Sequence, residues 1–161
     1  MSRLADRWSL AIFDADDTLR RSLVPGQPCP RARNEWELLP GVRERLAGEP
    51  WGGELQFALA SNQDQVGYGL VSLEMARALL ADLAEAVTGR APDPRAIELC
   101  PHTAVDRCCC RKPEPGMLRR LMATFDAPPA RTVFIGNAPC DEEAARHAGI
   151  AFLPAAELFA P

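Results

Sequence analysis

The chain has 161 residues, 47% apolar and 25% charged, a composition that suits a globular fold of one domain over residues 1–161. Its net charge of −4 excludes a general attraction for nucleic acid or anionic membranes, so an anionic ligand must be met by a local cationic cluster. No run approaches the ~20 apolar residues of a membrane span, and the opening segment, charged at Arg3, Asp6 and Arg7, lacks signal-peptide chemistry. A cytoplasmic, monomeric protein is expected.

Along the chain, Ser9–Phe13 reads as a short buried strand ending at acidic residues. Residues 20–40 read as an irregular, Arg- and Pro-rich excursion, and a helix starts near Pro40-Gly41 with Val42 and Leu46 at helical spacing. Gln56–Ala60 is a second strand, closing on Ser61-Asn62-Gln63. Ser72 caps a helix through about Val87, with Gly89 past its end and Met75, Leu79, Leu83 and Val87 on one stripe. Ile97–Leu99 is a third strand and Met117–Phe125 a helix. Thr132–Ile135 is a fourth strand, Asp141–Ala148 a helix with acids first and Arg146-His147 last, and Ile150–Leu153 a final strand. His147 is expected to cap its helix, and Trp8, Trp36 and Trp51 to anchor core or loops. Strands alternating with helices predict an α/β fold with a mainly parallel sheet, whose ligands bind beyond the carboxyl ends of the strands. Those ends carry Asp14 and Asp16, Ser61, Cys100 and Asn137.

Asp14 and Asp16, alternating along an extended turn, place two carboxylates on one side. Such a pair is stable only with a cation or a shared proton. Magnesium suits it, being a hard ion that takes carboxylate and carbonyl oxygens. One carboxylate can then attack phosphorus while the other moves protons. A solvated acidic turn is the competing reading. Ser61 and Lys112 supply a hydroxyl and an ammonium for phosphoryl oxygens, although each alone would read as a turn residue or a surface lysine.

Cys100, His102, Cys108 and Cys110 form a three-cysteine, one-histidine set typical of closed structural zinc sites. Cys109 is expected to point away. Four protein ligands leave no open position, so zinc would staple the loop that carries Arg111 and Lys112. Ordinary reduced thiols are the alternative. Cys29 and Cys140 fit no ligand pattern. Arg20, Arg21, Arg31 and Arg33 form either a patch that recruits a phosphorylated substrate or a solvated basic loop.

Four segments then run in an ordered series. They are Phe13-Asp14-Ala15-Asp16-Asp17-Thr18-Leu19, Ser61-Asn62-Gln63, Cys110-Arg111-Lys112-Pro113-Glu114-Pro115-Gly116-Met117, and Ile135-Gly136-Asn137 with Asp141. This series resembles the four motifs of the haloacid dehalogenase superfamily. The Asn62-Gln63 pair and the cysteine element resemble the branch of heptose bisphosphate and histidinol-phosphate phosphatases, over about residues 9 to 153. The resemblance implies a three-layer Rossmann-like fold without a large cap domain. It implies a magnesium-dependent phosphomonoesterase acting on a small phosphorylated metabolite. Asp14 would be the nucleophile forming an aspartyl-phosphate, Asp16 the acid and base, and Ser61 and Lys112 the grip on the phosphoryl oxygens. Magnesium would lie between Asp14, the carbonyl of Asp16 and Asn137, with Asp141 supporting its water shell or Lys112. Thr18, Asn62, Gln63 and Arg111 would face the substrate.

The chain also departs from that pattern. Asn137 stands where the superfamily usually has aspartate, which predicts weaker magnesium binding or a changed metal preference. Asp17 replaces a common glycine, and Tyr68 an arginine frequent in the heptose branch. The gap of five residues between His102 and Cys108 leans towards the histidinol-phosphate branch, while Pro115-Gly116-Met117 leans the other way. Alternatives are a polynucleotide 3′-phosphatase, opposed by the acidic charge, and a zinc-stapled binding module that has lost its catalysis.

Overall fold

Short, mostly apolar segments are too brief for a core helix and suit strands buried on both faces. In the computed structural model, which describes residues 2–160, they form one parallel sheet. Its strands are β1 (Leu10–Phe13), β4 (Gln56–Asn62), β5 (Ile97–Cys100), β6 (Thr132–Gly136) and β7 (Ala151–Pro154). The order is β5-β4-β1-β6-β7, so β1 lies in the centre, with Leu10–Phe13 in register with Gln56–Leu59 on one side and Thr132–Ile135 on the other.

Alternation along the strands feeds two cores. Ala11, Phe13, Leu59, Val133 and Ile135 pack on one face with α1 (Val42–Leu46), α3 (Leu73–Thr88) and α6 (Ala155–Leu158). Leu10, Ile12, Ala58, Ala60 and Phe134 pack on the other with α4 (Gly116–Thr124) and α5 (Pro139–Ala148). This is the three-layer arrangement expected. Ser72 caps α3 by accepting a hydrogen bond from the Met75 amide at 3.0 Å, and Gly89 ends it in the left-handed conformation. Its buried stripe is wider than the sequence reading, adding Ala76, Leu80 and Ala84 to Leu79, Leu83 and Val87. Trp8 and Trp51 belong to the core, while Trp36 is half-buried.

The excursion after β1 is more regular than expected. Arg20–Ser22 (β2) and Trp36–Leu38 (β3) pair antiparallel as a hairpin, with Arg20 opposite Leu38. Its long connection is folded back on itself: the Glu35 carboxylate accepts from the Arg31 and Ala32 amides and from Gln27. The hairpin docks on a four-residue helix, α2 (Asp64–Gly67), where Gln65 Nε2 donates to the Pro30 carbonyl at 3.1 Å. Among the described residues no helix is long and apolar enough to cross a membrane.

Candidate active site

The carboxyl ends of β1, β4 and β6 and the loop after β5 meet at one mouth. Asp14 follows β1 directly, its amide still bonded to the Ile135 carbonyl, so its side chain emerges at the sheet edge. Lys112 arrives from the loop after β5. Its Nζ lies 2.6 Å from Asp14 Oδ1 and 2.7 Å from Asp141 Oδ1, and all three side chains are buried. The other Asp141 oxygen accepts the Asn137 and Ala138 amides at 3.1 and 3.0 Å, which fixes the turn between β6 and α5. That turn needs Gly136, because a Cβ there would sit 2.5 Å from Asp141 Oδ2 and 2.6 Å from its Cβ.

Two oxygens converge across Thr18. Its hydroxyl lies 2.9 Å from Asn137 Oδ1 and 3.2 Å from Asp14 Oδ2, and a hydroxyl has only one proton to give. Two acceptors sharing one donor, both hard oxygens, fit a magnesium-type cation. The chain tightens after Asp14 because the Ala15 carbonyl accepts from Leu19 and Arg20, and Asp17 adopts φ 61°. Aspartate tolerates that left-handed conformation better than bulkier residues, so it can stand where a glycine is common.

Asp16 and Ser61 are tied by one amide. Gln63 Nε2 donates to Asp16 Oδ2 at 2.8 Å and to Ser61 Oγ at 2.9 Å, while Gln63 Oε1 accepts from Gln65. Ser61 is thus an acceptor within the protein, and its own proton is left to donate outward. Asn62 is spent on the backbone of Lys112: its amide donates to the Lys112 carbonyl and its oxygen accepts the Lys112 amide. Arg111 extends sideways to Asp64 at 3.3 Å and to the His102 carbonyl. It lines a cavity of about 330 Å³ with Arg107, Lys112 and Thr103.

Charge explains the ionisation pattern. Two carboxylates share one ammonium in a buried triad, leaving one negative charge in excess. Asp141 holds two amide donors as well, whereas Asp14 shares the Thr18 hydroxyl with Asn137. Burial, opposed by Lys112 and reinforced by Asp141 and Asp16, pushes the Asp14 pKa from 3.8 to about 6. Burial pulls the Lys112 ammonium down, but Asp14 and Asp141 outweigh it and carry it up to about 12.

The four ligand atoms of Cys100, His102, Cys108 and Cys110 lie within 4.8 Å of one another. Cys110 Sγ is 3.2 Å from Cys100 Sγ and 3.5 Å from Cys108 Sγ, and His102 presents Nδ1 at 3.2 to 3.4 Å from two sulfurs. Soft donors at the corners of a small tetrahedron fit a zinc-type ion with Zn–S bonds of about 2.3 Å. Partial burial acts against the Cys108 thiolate, yet the Arg111 and Cys110 amides prevail and bring its pKa down to about 6. Because the Arg111 amide donates to Cys108 Sγ, the cluster sits one residue from Lys112. Cys109 is exposed, pointing away as expected.

The members of the basic group differ in their surroundings. Arg20 is buried against Asp16, Arg21 pairs with Glu37, Arg33 pairs with Asp82, and Arg31 reaches Gln65. His147 does not cap its helix; its Nδ1 meets the Pro113 carbonyl at 2.9 Å and ties α5 to the Lys112 loop. Composition and spacing carried no sign of the Asn62 clamp or of the Arg20 burial. Both arise when residues remote in the chain are brought together.

A parallel sheet that delivers Asp14, Ser61, Lys112 and Asp141 to one mouth defines a haloacid dehalogenase-type phosphatase. A family model described as Polynucleotide kinase 3 phosphatase matches residues 9–157, and the chain belongs to this family. A D-glycero-beta-D-manno-heptose-1,7-bisphosphate 7-phosphatase of Pseudomonas aeruginosa is 32% identical over 138 residues, 86% of this chain and 75% of that protein. A D-glycero-alpha-D-manno-heptose-1,7-bisphosphate 7-phosphatase of Mycobacterium tuberculosis is 27% identical over 154 residues, 92% of this chain and 77% of that one. The crystal structure of D,D-heptose 1,7-bisphosphate phosphatase from Bordetella bronchiseptica, complexed with magnesium and phosphate, aligns with TM-score 0.75 at 29% identity. The alignment covers 89% of this chain and 78% of that one.

Proposed function

We propose that this protein is a magnesium-dependent phosphomonoesterase that removes a phosphate from a heptose bisphosphate through an aspartyl-phosphate on Asp14. The observation that carries this reading is the buried triad in which Lys112 Nζ bridges Asp14 and Asp141 beside the Thr18–Asn137 oxygens. An Asp14 oxygen attacks phosphorus in line with the leaving oxygen, and the Asp14 O–P bond forms as the ester O–P bond breaks. Asp16 gives a proton to the departing alkoxide. The Asp16 carboxylate then takes a proton from water, and the resulting hydroxide attacks the acyl phosphate, restoring Asp14 and freeing phosphate.

Charge on the equatorial oxygens is met by donors that remain after internal bonds are counted. Lys112 has three protons, of which Asp14 and Asp141 occupy two. Ser61 keeps its own proton because it accepts from Gln63. Magnesium bound by Asp14, the Asp16 carbonyl and Asn137 supplies positive charge that favours the ionised nucleophile and the approaching phosphate. The Cys100–His102–Cys108–Cys110 cluster holds a structural zinc, and Asn62 and the cluster together hold Lys112 in place. Thr18, Gln63 and Arg111 border the substrate.

A sugar phosphate is favoured over a polynucleotide end. The two relatives above are named for heptose bisphosphates, the net charge is −4, and Arg20, Arg21 and Arg33 already face carboxylates. Phosphate release should be measured from both anomers of heptose 1,7-bisphosphate, from histidinol phosphate and from a 3′-phosphorylated oligonucleotide. The expected result is magnesium-dependent release, fastest from a heptose bisphosphate. Release from the oligonucleotide alone, or from none of them, contradicts the reading.

A further inference from the structure

Arg20 is a second buried cation at the mouth, besides Lys112. Its side chain is 1% exposed, in a hairpin strand, where an unpaired guanidinium would cost several kcal/mol. Its Nε donates to Asp16 Oδ1 at 2.8 Å and its Nη2 approaches Asp16 Oδ2 at 3.5 Å. Its Nη1 donates to the Leu79 carbonyl of α3 at 3.0 Å, and the guanidinium lies 5.9 Å from the Trp36 ring of β3. Asp16 itself sits in a tight turn with a left-handed residue beside it; Gln63 Nε2 also donates to its carboxylate, and the Cys29 thiol lies against it. Arg20 therefore links the Asp16 carboxylate to a sixteen-residue helix and a second strand, which its own turn does not do.

We infer that Arg20 is a positioning residue that aims the Asp16 carboxylate at the leaving oxygen of the substrate. The inference rests on the phosphatase reading above. The planar fork and Gln63 contact both carboxylate oxygens from the protein side. That fixes the plane of the group. In the step concerned, the ester O–P bond breaks, the Asp14 O–P bond forms and the Asp16 proton moves to the alkoxide. Misaiming that proton costs most when the leaving group is a poor one.

The test compares kcat/KM, which reports steps through leaving-group departure, for glycerol phosphate and para-nitrophenyl phosphate in wild type and Arg20→Met. A nitrophenolate leaves without an acid, so its kcat/KM should change by about threefold or less, while the alkyl ester should lose roughly 100-fold. Equal losses for the two substrates, or no loss, overturn the inference, because a merely structural arginine does not discriminate between leaving groups. Should Arg20→Met fail to fold, Arg20→Lys keeps the charge without the fork and must show the same preference at smaller amplitude. A wild type that releases phosphate from neither ester nor from heptose 1,7-bisphosphate refutes the phosphatase reading and this inference with it. Where only the heptose bisphosphate is turned over, Arg20→Met must lose roughly 100-fold on it and Arg20→Lys less. A wild type active on both, beside a non-discriminating variant, refutes the positioning role alone.

Discussion

At Asp14, function and stability pull in opposite directions. Burial raises its carboxyl to about 6 against 3.8, so the charged form that the proposed attack requires is the form the fold disfavours. A raised folded pKa means that this group's contribution to stability is fully present below the unfolded value and is lost as pH rises through the folded one. Magnesium-free wild type should therefore be less stable than Asp14→Asn near neutral pH, on the order of 2 kcal/mol, with the gap closing towards about pH 4. Denaturant melts of the two proteins across that range check the sign. A gap that does not change with pH would show that Asp14 is not the residue carrying the excess charge. At Asp17 the φ of 61° shows why an acidic residue is accepted where glycine is common. Asn137 places its amide oxygen 2.9 Å from Thr18 without adding charge to the mouth.

At the scale of elements, the junction of β6 and α5 decides whether Lys112 is held. Asp141 reaches Lys112 only because Gly136 lets the first turn of α5 close on the strand end. Gly136→Ala should cost about 1–3 kcal/mol by overpacking and lower kcat at least about tenfold, read by thermal melts and phosphate release together. Unchanged turnover would mean that Asp141 is dispensable. The parallel strands were legible in the sequence because runs such as Leu10–Phe13 and Val133–Ile135 are continuous and apolar, and α3 was legible from its cap and its period. The hairpin of β2 and β3 was not. Its strands are three residues long, too short to show a period, β2 carries two adjacent arginines, and both exist through their partner and the ties of Glu35 and Gln65. The four-residue helices α2 and α6 are shorter than one full hydrophobic period allows a reader to detect. The order of the site residues was readable, whereas the partners of Asn62, Gln63 and Arg20 depend on tertiary placement.

At the scale of the whole molecule, two candidate metal sites are separated by donor type. Hard oxygens of Asp14 and Asn137 face the mouth, and the soft cluster of Cys100, His102, Cys108 and Cys110 lies behind Lys112. Elemental analysis should find about one zinc per chain. After strong chelation, adding magnesium alone should leave activity low and the melting temperature depressed, while zinc followed by magnesium restores both. Full recovery with magnesium alone would deny the cluster its part in holding the loop. The sheet brings these pieces together from segments at residues 14, 61, 112 and 141, and the account depends on the first of them attacking phosphorus. The most direct measurement is to mix the enzyme with a radiolabelled sugar phosphate and magnesium, quench in acid within one turnover, and locate the label by digestion. Label is expected on the peptide containing Asp14, at the Asp14 carboxylate, and none in Asp14→Asn. Phosphate release without any labelled peptide, or label carried on Asp16, would contradict it.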